Sequence, residues 1–70
     1  MSAELEVRVN GEMLRLPDGA TVSLLLERLK IATPRVAVER NREIVPKAAY
    51  ATTRIAPGDS FEVVEFVGGG

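Results

Sequence analysis

The sequence predicts one α+β domain in which a mixed sheet of four to five strands packs on a single helix. Residues 4–9 alternate polar and apolar side chains with a period of two, which is typical of a strand with one buried face. Residues 22–29 change to the period of an amphipathic helix. The final segment, residues 60–66, is apolar on both sides, as a central strand is.

The first two strands are expected to form a hairpin. Asn10 and Gly11 separate them, and Asn-Gly is the residue pair that a type I′ turn favours. We therefore expect the second strand to return antiparallel to the first, with Leu14 and Leu16 facing the core and Arg15 outside.

The helix has recognisable signals at both ends. Residues 17–19, Pro-Asp-Gly, form a turn, and the Thr21 hydroxyl is suited to cap the first helical turn. Residues 33–34, Thr-Pro, are expected to end the helix after two to three turns. Its apolar face consists of Val22, Leu25, Leu26 and Leu29.

A second, shorter strand-turn-strand segment is predicted after the helix. In residues 36–39, Val36 and Val38 alternate with Ala37 and Glu39. Asn41 and Arg42 form a turn, and residues 43–45 return until Pro46 closes the strand.

Residues 47–55 have mixed periodicity and predict one irregular helical turn around Tyr50. Residues 57–59, Pro-Gly-Asp, then turn the chain into the last strand, residues 60–66. This order of elements is that of the β-grasp, or ubiquitin-like, architecture, in which the first and last strands lie parallel at the centre of the sheet. We expect residues 1–67 to form the domain and residues 68–70 to form a flexible glycine tail.

Composition excludes several classes of function. The 70 residues contain no Cys and no His, which excludes disulfides, thiolate and imidazole catalysis and nearly every zinc site. A net charge of −1 with two Phe and one Tyr predicts no nucleic-acid partner. No apolar run approaches the ~20 residues of a membrane span, and no signal peptide is evident, so we expect no membrane partner and a cytoplasmic location.

The most informative chemistry lies in the glycine run Gly68, Gly69 and Gly70. Glycine has no Cβ, so such a tail can enter a channel too narrow for other residues. If the chain ends there naturally, the α-carboxyl of Gly70 is the reactive group, because the sequence offers no thiol, imidazole or phosphate-binding loop. The alternative is a frayed end without function.

Two further segments carry a family resemblance. Residues 36–46, VAVERNREIVP, resemble the "VAVN-x-x-IVP" centre of the sulfur carrier protein of thiamine thiazole biosynthesis. Residues 50–59 and the terminal glycines are similar to that family's "W-A-x-T-x-L-x-x-GD" segment and Gly-Gly end. The chain departs from the family pattern at Tyr50, where Trp is frequent, and at Glu39 and Arg40.

The resemblance implies a protein cosubstrate and not an enzyme. An E1-like adenylyltransferase would use ATP and Mg²⁺ to adenylate Gly70, and a cysteine desulfurase would supply persulfide sulfur. The resulting thiocarboxylate would donate sulfur to thiazole synthase. On this reading the carrier itself binds no cofactor stably, and Gly68 and Gly69 contact the partner enzymes.

Other readings remain open at this stage. The small subunit of molybdopterin synthase and a protein-tagging ubiquitin-like modifier share the general plan. A β-grasp binding module without carrier chemistry is the third alternative.

The last strand predicts a docking surface. Val64 and Phe66, with Val67 at the root of the tail, are expected to anchor the partner enzymes, rimmed by Glu62 and Glu65. The alternative is that Phe66 packs in the core.

Overall fold

The structure, a computed structural model, describes residues 4–66 and has the expected β-grasp architecture. The strands are β1 (Glu4–Val9), β2 (Glu12–Pro17), β3 (Val36–Arg40), β4 (Glu43–Ile44) and β5 (Ser60–Glu65), and the helix is α1 (Val22–Arg28). The sheet order is β2-β1-β5-β3-β4. β1 and β5 run parallel at its centre and the other neighbours pair antiparallel, which confirms the predicted topology.

The β1–β2 hairpin turns at Asn10 and Gly11, as predicted. Val9 pairs with Glu12, so the loop has two residues. The φ angles of Asn10 and Gly11 are 51° and 85°, and a type I′ turn requires positive φ at both positions.

Helix α1 begins as predicted but ends earlier. The Thr21 hydroxyl accepts a hydrogen bond from the Leu24 N–H at 3.3 Å. At the other end, Lys30 has a φ of 60°, and its N–H donates to the Glu27 carbonyl. The Ile31 N–H donates to the Leu26 carbonyl, which completes a Schellman motif. The helix therefore ends at Arg28 after about two turns, which agrees with the predicted length, but the prediction that residues 33–34 end it was wrong.

The hydrophobic core lies between α1 and one face of the sheet. Phe61, Leu16 and Leu25 are its largest fully buried side chains. Tyr50 packs against its edge, next to a short 3₁₀ turn, Lys47–Ala49, which is the irregular turn predicted there. The buried apolar residues are Leu5, Val7, Val9, Leu16, Ala20, Val22, Leu25, Leu26, Val36, Val38, Val45, Ile55, Phe61 and Val63.

Candidate functional site

Strand β5 presents different residues to its two sides. Phe61 and Val63 are buried against the helix, with 1% and 8% of their surface exposed. Val64 is 52% exposed and Phe66 is 56% exposed. The period of two therefore places Val64 and Phe66 on the sheet face that α1 does not cover, here called the outer face. Phe66 does not lie in the core.

The strand register adds residues from β3 and β4 to this surface. Ala37 pairs with Val64, and Ile44 pairs with Glu39 on the same side of the sheet. Ile44 is 68% exposed. The sequence pattern predicts a strand at Ile44 but does not indicate an exposed apolar side chain there, because β4 is too short to show alternation. We define the outer apolar patch as Ala37, Ile44, Val64 and Phe66.

The acidic residues beside the patch differ from those expected. Glu62 lies on the outer face, directly opposite Glu39. Glu65 pairs with the buried Val36 and therefore shares the helix side of the sheet. Glu39 thus takes the position beside the patch that the sequence analysis gave to Glu65.

Two turn asparagines fix the position of β5. The Asn10 side chain accepts from the Val63 N–H at 2.9 Å and donates to the Val63 carbonyl at 3.1 Å. The Asn41 side chain accepts from the Ser60 N–H at 3.0 Å. Each amide extends the hydrogen bonding of β5 where the neighbouring strand has ended.

Asp59 completes this arrangement from the start of β5. Its carboxylate accepts from Arg40 Nε at 2.9 Å, from Asn41 Nδ2 at 3.1 Å and from the Ala56 N–H at 2.8 Å. Asp59 is 7% exposed, so these contacts satisfy a carboxylate that has little access to water. The sequence pattern predicts only a turn at Asp59.

The remaining electrostatic features are modest. An exposed ion pair joins Arg15 to Glu6 at 3.1 Å on the outer face, in the β1–β2 hairpin. Burial raises the pKa of the Tyr50 phenol above its ordinary value.

Residues 4–66 contain neither a metal-binding cluster nor a membrane-spanning helix. No group of three acidic, His or Cys side chains comes together there as a metal site would require. No helix in this part of the chain is long and apolar enough to cross a bilayer. The predicted roles of Val67 and of Gly68, Gly69 and Gly70 fall outside the described residues, and so does the predicted flexible tail.

Known proteins resemble the chain in sequence and in structure. A model of the ThiS family matches residues 4–70. A thiazole synthase from Paramagnetospirillum magneticum is 44% identical over 66 residues, which make up 94% of this chain and 20% of that protein. The sulfur carrier protein ThiS of Bacillus subtilis is 35% identical over 65 residues, which cover 91% of this chain and 98% of that protein.

A solved structure extends the similarity to the fold. The crystal structure of the thiamine biosynthesis protein ThiS from Geobacter metallireducens matches with a TM-score of 0.74 and 37% sequence identity, covering 94% of this chain and 100% of that one. The chain spans about a fifth of the length of the thiazole synthases that it matches, but nearly the full length of the two ThiS proteins.

Proposed function

The chain belongs to the ThiS family of sulfur carrier proteins of thiamine biosynthesis, and from this premise we propose that the α-carboxylate of Gly70 carries the sulfur for thiazole synthesis. The observation that carries the proposal is the family match through residue 70, which includes all three terminal glycines. No Cys or His competes with this carboxylate as a reactive group.

The chemistry requires activation by a partner. A carboxylate is a poor electrophile because its negative charge repels nucleophiles. In the proposed sequence, a Gly70 oxygen attacks the α-phosphorus of ATP and pyrophosphate leaves, with Mg²⁺ balancing the phosphate charge. A persulfide sulfur then attacks the acyl carbon and AMP leaves. Reduction of the resulting acyl disulfide by a thiol releases the thiocarboxylate.

The catalytic groups for these steps belong to other proteins. We propose an E1-like adenylyltransferase for activation and a cysteine desulfurase as the source of persulfide. For the acceptor we propose thiazole synthase, because two proteins of that name contain a segment 44% and 38% identical to this chain. The carrier is then a cosubstrate that works in the cytoplasm and binds neither ATP nor metal stably.

The outer apolar patch supports a docking role for the end of β5. We assign Val64 and Phe66 as anchors for the partner enzymes, together with Val67, which follows them in the chain. Gly68 and Gly69 would pass through the channel that leads to the partner's active site, where side chains would obstruct entry.

Intact mass spectrometry tests the carrier role. The protein is incubated with the E1-like enzyme, ATP, Mg²⁺, a cysteine desulfurase, cysteine and a reducing thiol. We expect a mass gain equal to the exchange of one oxygen for sulfur, localised to the peptide that ends at Gly70. A variant without Gly69 and Gly70 serves as the control and should gain nothing.

Two results would contradict the assignment. A sulfur gain on another peptide would show that Gly70 is not the carrier. No gain, with partner binding unaffected by removal of the two glycines, would favour a binding module without carrier chemistry.

A further inference from the structure

Glu39 and Glu62 face each other on the outer face of the sheet. They are directly paired in the β3–β5 register, so their Cβ atoms lie about 4.5–5.5 Å apart. Glu39 is also partly buried. Like charges at directly opposed positions destabilise a sheet, by an amount that the exposure of Glu62 to water keeps modest.

Neither carboxylate of this pair has an ion-pair partner among residues 4–66. The ion pairs found within residues 4–66 join Arg15 to Glu6 and Arg40 to Asp59, and neither involves Glu39 or Glu62. Arg42 lines the same surface concavity as Glu62 but forms no ion pair with it. The fold thus keeps two adjacent carboxylates at a position where a neutral pair would be more stable.

Apolar residues border the two carboxylates. Ile44 lies beside Glu39 at the edge of the sheet. The Ala37–Val64 pair lies one step further along the outer face in the direction of Phe66. A protein that covers the outer apolar patch therefore also covers Glu39 and Glu62, and it would leave them without water unless it supplied positive charge.

The length of the chain after Phe66 limits where such a protein binds. Four residues, 67–70, follow Phe66, and an extended chain spans at most about 3.6 Å per residue, or about 14 Å in all. If Gly70 is the reactive residue, which rests on the proposed function, the enzyme's active site lies within that distance of Phe66. The enzyme then contacts the domain near the end of β5, where Val64 and Phe66 are exposed.

We propose that the Glu39–Glu62 pair is a charge-recognition element for the enzyme that adenylates Gly70. The complementary surface of that enzyme has an apolar pocket for Val64 and Phe66, flanked by Arg or Lys side chains that contact both glutamates. Binding relieves the repulsion between the carboxylates, so the stability lost in the isolated carrier favours the complex. Ile44 extends the contact to the edge of the sheet.

The test uses a double variant, Glu39→Gln with Glu62→Gln, against a control of equal charge change. The control combines Glu12→Gln and Glu27→Gln, whose side chains are exposed on the hairpin end and on the helix. Binding of each protein to the E1-like enzyme is measured as Kd at low and high salt. We expect the outer-face variant to bind about tenfold more weakly than the control and to lose most of the salt dependence.

The same two variants are compared in urea unfolding. Because the variant removes a repulsion, we expect a higher urea midpoint for it than for the control. Higher stability with weaker binding is a combination that general damage to the fold would not produce.

Each opposite result overturns the proposal. An unchanged Kd relative to the control shows that the glutamates are not recognised. A midpoint no higher than that of the control shows that they do not repel each other. Since Kd is measured without sulfur transfer, these outcomes are independent of whether Gly70 gains sulfur, which tests the proposed function separately.

Discussion

Asp59 joins three parts of the chain through its side-chain carboxylate and its backbone carbonyl. It accepts hydrogen bonds from the turn that precedes it, at Ala56, and from Arg40 and Asn41 at the end of β3. Its own carbonyl accepts from the Arg8 N–H of β1. The start of β5 is thereby fixed between the two strands that flank it, which sets the register of the residues that lead to the tail.

Replacing Asp59 by Asn tests this role. The amide keeps the size of the side chain but removes the charge and turns an NH₂ group towards donors. We expect the free energy of unfolding to fall by about 2 kcal/mol, because a buried, charge-assisted network loses its acceptor.

The matched control is Asp18→Asn, at the chain's other aspartate, which is exposed. It should change stability by less than about 0.5 kcal/mol. Urea unfolding measures both values, and equal effects at the two positions would contradict the role given to Asp59.

Some of these residue roles could be predicted from sequence and others could not. Asn10 and Gly11 carry a local turn signal, so their backbone conformation was predicted correctly. Asp59 also lies in a turn motif, but its partner Arg40 is 19 residues away, and its role depends on a contact that only the folded topology creates. Glu39 and Glu62 become neighbours for the same reason.

The two hairpin turns adopt similar backbone conformations with different residues. Asn41 and Arg42 have φ angles of 51° and 72°, close to those of Asn10 and Gly11. The second position is Gly in the first hairpin and Arg in the second. A left-handed conformation costs a residue with a Cβ roughly 1–2 kcal/mol, so Arg42 is held in an unfavourable backbone state.

We therefore expect Arg42→Gly to stabilise the domain by up to about 1 kcal/mol, since some of the gain is offset by greater freedom in the unfolded chain. The reverse change, Gly11→Ala, should destabilise it by a similar amount. A Cβ at Gly11 would meet no atom within 4 Å, so its effect reports the backbone alone. Thermal unfolding measures the stability of both variants. A loss of stability in Arg42→Gly would contradict the explanation.

At the level of elements, the strands were more predictable than the end of the helix. The alternation in residues 4–9 follows from burial of one strand face, so it can be seen in the sequence itself. The stop at Arg28 depends on Lys30 adopting a positive φ, for which Lys carries no signal. Pro34 was the visible helix breaker, but the Schellman hydrogen bonds end the helix before the chain reaches it.

In the whole molecule, the two faces of one sheet have separate tasks. The face towards α1 supplies the core that stabilises a small domain without cysteines. The outer face carries the apolar patch and the opposed glutamates close to the end of β5. Both faces meet at β5, where the buried Phe61 lies within the strand and the exposed Phe66 directly follows its last residue.

Phe61 and Phe66 permit a direct test of this separation. Phe61 is 1% exposed and Phe66 is 56% exposed. Phe66→Ala should change the free energy of unfolding by less than about 1 kcal/mol, because little apolar surface becomes newly exposed. It should weaken binding to the E1-like enzyme by about 2 kcal/mol or more, as loss of an aromatic anchor does. Phe61→Ala should instead cost about 3–5 kcal/mol of stability.

Phe61→Leu keeps the comparison measurable if the alanine variant is largely unfolded, since the cost of a smaller apolar substitution is about 1–2 kcal/mol. Folded Phe61→Leu should bind the enzyme with the same Kd as the unchanged chain, because its side chain is covered by the helix. Stability is measured by urea unfolding and Kd by calorimetry on the same preparations. If Phe66→Ala melts early but accepts sulfur normally once folded, its side chain contributes to the core and the division between the two faces is wrong.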